Sequence, residues 1–83
     1  MGMLAIKKKD MNRVNLYVEL SGAIVNVDGG YWVVSTPDDT LFYDTTAELM
    51  EDINENLDIM KEIYTENGEL EEWKAAEKRT AKW

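Results

Sequence analysis

Between Thr45 and Gly68 the sequence "TTAELMEDINENLDIMKEIYTENG" spells an amphipathic helix with both ends marked, and this segment constrains the fold more than any other. Met50, Ile53, Leu57, Met60 and Tyr64 recur at spacings of 3, 4, 3 and 4, with Leu49 and Ile63 widening the stripe. Thr45 and Glu48 have the spacing of a capping box, in which each side chain satisfies a free backbone N–H of the first turn. Asn67 and Gly68 mark the stop, since glycine takes the left-handed position after a last turn without strain. A helix with one apolar face needs an apolar surface to cover. The rest of the chain must supply it.

Upstream, "VNLYVEL" (14–20) alternates Val14, Leu16, Val18 and Leu20 against Asn15, Tyr17 and Glu19, the pattern of a half-buried strand. "SG" at Ser21–Gly22 and "GG" at Gly29–Gly30 then read as two-residue hairpin loops around "AIVNVD" and "YWVVS". Both loops give one register, which gathers Leu16, Val18, Leu20, Ala23, Val25, Val27, Trp32 and Val34 on a single face. The other face carries Tyr17, Glu19, Ile24, Asn26, Tyr31 and Val33 and is mixed. "STPDDT" is a turn, and "LFY" is a candidate fourth strand. After Gly68, "ELEEWKAAEKRTAKW" forms a shorter helix with Leu70, Trp73, Ala76 and Thr80 on one side. That helix can pack on the second sheet face, extend the first helix past a kink, or fray.

These elements define an α+β domain: a three- to four-stranded antiparallel β-meander packed by one long helix, with a shorter C-terminal helix. Residues 1–13 form a flexible, solubilising N-terminus. The single domain spans 14–83, with the meander at 14–44, the main helix at 45–67 and the C-terminal helix at 69–82. Trp32, Phe42, Tyr64 and Trp73 are assigned to the core, and Trp83 docks onto the domain or anchors a partner.

Composition narrows the function. The 83 residues include no cysteine and no histidine, so disulfides, thiolate chemistry and the commonest general base and metal ligand are all missing. No nucleophile–base pair, phosphate-binding glycine motif or calcium-loop spacing can be built, which points away from an enzyme and from any cofactor or metal. The apolar stretches fall short of the ~20 residues of a membrane span. The opening "MGMLAIKKKD" lacks the order of a signal peptide, so a cytoplasmic protein is expected. A net charge of −8 disfavours nucleic acid and anionic membranes as ligands and favours a basic partner.

That charge is concentrated. Residues 51–72 hold nine carboxylates and one base, Lys61, a net −8 equal to that of the whole chain. On a helical wheel Glu48, Glu51, Glu55, Asp58, Glu62 and Glu66 fall within about 40° of the pole opposite Ile53. They make one row roughly 27 Å long with a carboxylate every ~5.4 Å, against a DNA phosphate about every 3.4 Å. Like charges at i,i+4 each oppose the helix by about 0.2–0.5 kcal/mol, and no alternating Lys relieves them. Two accounts stay open: a partner-binding surface formed by these six residues, or a solvated outer face.

"DGGYWVVSTP" followed by "TTAELMEDINENL" resembles the N-terminal domain of HicB-type antitoxins over about residues 26–60. The matching positions are Asp28, Gly29, Gly30, Tyr31, Val33, Ser35, Pro37, Thr45 and Glu48. The family's Pro-Gly-Cys segment is missing, the loop before the helix is shorter, and no recognisable DNA-binding domain follows. By type, the chain is also similar to small acidic phage-encoded inhibitors such as anti-CRISPR proteins. Both resemblances imply a non-catalytic acidic inhibitor of a nucleic-acid-processing protein, a nucleic-acid mimic of the phage–host or toxin–antitoxin kind. The alternative is a structural homo-oligomerisation module, a homodimer in the simplest case, with a merely solvated acidic face.

Overall fold

The computed structural model describes residues 6–81, and Trp83 and the first five residues lie outside that range. The architecture is α+β: α1 (Lys8–Ser21), β1 (Ile24–Asp28), β2 (Tyr31–Ser35), β3 (Thr40–Tyr43), α2 (Thr46–Glu66) and α3 (Leu70–Thr80). The strands form one antiparallel sheet in the order β1-β2-β3. Gly29 and Gly30 turn the first hairpin at φ 61° and 87°, the pair of positive values that a type I′ turn requires. Val27 then faces Trp32 and Val25 faces Val34, the expected register. "LFY" belongs to β3, which pairs Val33 with Phe42 and Val34 with Leu41.

The expected first strand is a helix. Val14–Leu20 lies inside α1, which begins at Lys8 and so takes in half of the segment assigned to a flexible tail. The physical reason is that α1 packs against α2, α3 and β1 at once. A helix buried on several sides spreads its apolar residues widely: Met11, Val14, Tyr17 and Val18 follow helical spacing, and Leu16 and Leu20 form a second line beside them. Over seven residues that combination imitates alternation. The "SG" pair is the helix stop rather than a hairpin loop. Gly22 sits at φ 75° and its N–H donates to the Val18 carbonyl at 2.9 Å, while the Ser21 hydroxyl donates to the Tyr17 carbonyl at 2.6 Å. A tight hairpin and a helix terminus ask for the same backbone geometry, so the dipeptide alone does not separate them. Tyr17, assigned to an open sheet face, is buried in the core.

Both ends of α2 behave as read. The Thr45 hydroxyl accepts the Glu48 N–H at 3.1 Å, and the Glu48 carboxylate reaches back to the N–H of Asp44, one residue before the cap. At the far end Gly68 (φ 74°) donates to the Thr65 carbonyl and Glu69 to that of Tyr64, a Schellman pair. The helix does not lie wholly over the sheet. Its links run in order along its length: Trp32 Nε1 donates to the Thr46 hydroxyl at 2.9 Å, Arg13 Nε donates to Asn54 at 2.7 Å, and Tyr64 meets Trp73 of α3 edge-to-face at 5.6 Å. The first half of α2 serves the sheet and the second half serves the other helices. Leu49, Met50, Ile53 and Leu57 are buried, whereas Ile63 is half exposed at 50% and leaves the stripe.

The C-terminal helix packs on α1 and α2. Trp73 and Ala76 are its buried residues, and Arg79 Nε donates to Glu19 of α1 at 2.8 Å. The sheet's inner face buries Trp32 and Val34. Its outer face presents Ile24, Tyr31, Val33 and Phe42 with no helix against it among the described residues, and Phe42, assigned to the core, is 65% exposed. β3 alternates Thr40 and Phe42 outward with Leu41 and Tyr43 inward, and Tyr43 occupies the inward place next to α2.

Candidate functional site

All six residues of the acidic row are exposed, so the helical wheel located the outer face of α2 correctly. The surroundings divide them into two groups. Glu48, Glu51 and Glu55 line a cleft of about 420 Å³ between α2 and the end of β3, together with Phe42, Tyr43, Asp44 and Asp52. Asp58, Glu62 and Glu66 border a separate, shallower depression with Lys61 and Thr65. Within the row only Asp58 has a cationic atom within 4 Å among the described residues: Arg13 Nη2 at 3.9 Å, with the Asp58 side chain still 82% exposed.

The cleft owes its shape to three local features. The capping contacts of Thr45 and Glu48 start α2 immediately after β3, and the two turn away from each other at Asp44. The Trp32–Thr46 hydrogen bond ties the first turn of α2 to the middle strand. Tyr43 donates its phenolic proton to Asp52, which closes the floor of the cleft. Burial of that phenol pushes its pKa up from the ordinary value, and the hydrogen bond and charge of Asp52 act in the same direction. Two of the five carboxylates thus hold the fold together, Glu48 through the cap and Asp52 through Tyr43. Asp44, Glu51 and Glu55 have no hydrogen bond or ion pair through their side chains among the described residues, and they point their charge into solvent.

Few bases stand near this surface. From Val14 to Met60, the stretch that contains the whole sheet and two thirds of α2, the chain has ten carboxylates and not one Lys or Arg. Among the described residues the bases stand at the start of α1 and on it (Lys7, Lys8, Lys9, Arg13) and along α3 (Lys74, Lys78, Arg79), apart from Lys61 on α2. Among the described residues no three carboxylates converge closely enough to hold a metal ion. Among the described residues no helix is long and apolar enough to cross a membrane.

Sequence reasoning found the row but missed Asp44, Asp52, Tyr43 and Phe42. The available signal was the β3 alternation carried through the register, which places Phe42 outward opposite Val33. No protein-family model, no curated protein and no solved structure matches this chain.

Proposed function

We propose that this protein is a non-catalytic acidic inhibitor that binds a basic surface of a nucleic-acid-processing protein, in the manner of an antitoxin or an anti-CRISPR protein. The observation that carries the reading is the row of six exposed carboxylates on α2, Glu48, Glu51, Glu55, Asp58, Glu62 and Glu66, with a single cationic contact along it. Ordinary solubility asks for a polar face but not for a face of one sign, and each unrelieved i,i+4 repulsion costs the helix a few tenths of a kcal/mol. A surface that repels nucleic acid while imitating its charge density competes for the groove that nucleic acid would fill. The resemblance to HicB-type antitoxins adds support of a general kind, since its matching positions lie in the Gly29–Gly30 hairpin and the Thr45–Glu48 cap, local structures that many folds share.

The test captures partners from a cell lysate with the wild-type protein and with a Glu55→Lys, Asp58→Lys, Glu62→Lys variant. Each reversal adds two charges, so the variant moves the net charge from −8 to −2. Expected is the loss of captured nucleic-acid-handling proteins from the folded variant, and their release from the wild type by added salt or duplex DNA. Equal retention by both proteins overturns the reading. A second reading, a homo-oligomerisation module, draws on Ile59 and Ile63, which lie one turn apart on α2 and are 54% and 50% exposed. A concentration-dependent sedimentation coefficient would favour it, and a constant monomer value would remove it.

A further inference from the structure

We infer that the open edge of β3 is the docking strand for an extended segment of the partner with arginines at alternate positions, an inference that rests on the partner being basic. Among the described residues the sheet order leaves β3 with β2 on one side and no strand on the other. An unpaired edge is a template for another chain, and proteins usually guard it with Lys, Pro, a bulge or a covering element. Thr40–Tyr43 has no charge and no proline, and its pairing to β2 runs without a bulge. The last two residues of the strand, Phe42 and Tyr43, open onto the cleft, whose far wall is the first half of α2.

The two sides of this edge make different demands on an incoming strand. In an added strand, successive side chains point to opposite faces of the sheet. Those on the inner side would enter the cleft, where Asp44, Glu51 and Glu55 stand without a cation. Those on the outer side would lie beside Phe42, 65% exposed, and continue the apolar surface of Val33 and Tyr31. The edge therefore reads a two-residue code, basic inward and apolar outward. Arginine fits the inward position better than lysine, because its planar fork can engage two carboxylates at once. A second copy of this chain is a poor occupant, since its own sheet strands carry no base to place in the cleft.

The test uses the full-length protein and three synthetic nine-residue peptides as probes. One alternates Arg and Val, one has the same composition with the arginines in a block, and one replaces each Arg of the alternating peptide by Lys. Expected is binding of the alternating arginine peptide about tenfold tighter than the blocked one, with amide shifts and slowed hydrogen exchange at Thr40–Asp44. Phe42→Ala should remove most of that preference while leaving the blocked peptide's affinity unchanged. The lysine peptide should bind severalfold more weakly than its arginine counterpart. Equal affinity for the alternating and blocked peptides, with shifts spread over Glu48–Glu66 and none in β3, would overturn strand docking and leave the acidic-surface reading standing. Failure of all three to bind at low salt would sink both.

Discussion

Tyr43 occupies the point where the inner sheet face, the acidic cleft and α2 meet, and its hydroxyl donates to a carboxylate there without adding charge. Its hydrogen bond to Asp52 ties β3 to the second turn of α2. The pKa is raised in the fold, so the folded phenol keeps its proton to higher pH than an unfolded one. Its contribution to stability is complete below the unfolded value of about 10 and is lost as pH rises beyond it toward the folded value. Tyr43→Phe should destabilise the protein at neutral pH by about 1–3 kcal/mol, the range for a hydrogen bond to a charged group. Ultraviolet titration with base should show one late phenol in the wild type that the variant lacks. Four phenols ionising together would contradict this account.

At the level of elements, the start of α2 decides the geometry of the cleft. Thr45→Ala removes the acceptor for the Glu48 N–H and is expected to cost about 0.5–2 kcal/mol, measured by urea unfolding, with Thr45→Ser recovering most of the loss. This cap was legible in the sequence, as were the Schellman stop at Gly68, the Gly29–Gly30 hairpin and the buried side of α3, because each is written in residues adjacent along the chain. The nature of α1 was not. Val14, Leu16, Val18 and Leu20 alternate in a window too short to separate a strand from a helix buried on several sides, and the deciding residues, Met11 and Tyr17, were read as tail and outer face. The candidate site divides in the same way. The row on α2 follows from helical spacing alone, whereas the cleft requires β3 and α2 to be placed side by side, and no local pattern states that Asp44 and Asp52 share a space with Phe42.

On the scale of the whole molecule, the described residues form a flat body of 44 × 29 × 17 Å. The sheet meets α2 at β3 and α1 at β1, and among the described residues no helix lies against its outer face. Among the described residues Ile24, Tyr31 and Phe42 are large apolar side chains that this face leaves exposed.

The absence of any base from Val14 to Met60, with Lys8 and Lys9 at the start of α1 and Lys78 and Arg79 at the end of α3, gives the molecule an electric orientation as well as a net charge. If the target is basic, as proposed, it would exert a torque on such a body before the two surfaces touch and draw the acidic α2 toward it. The approach is then guided rather than random, and the selection of the correct face begins during diffusion. Stopped-flow mixing with the alternating arginine peptide should accordingly show an association rate that falls steeply with ionic strength while the dissociation rate changes little. What looks at rest like a lopsided distribution of acids would then become, in motion, a steering device.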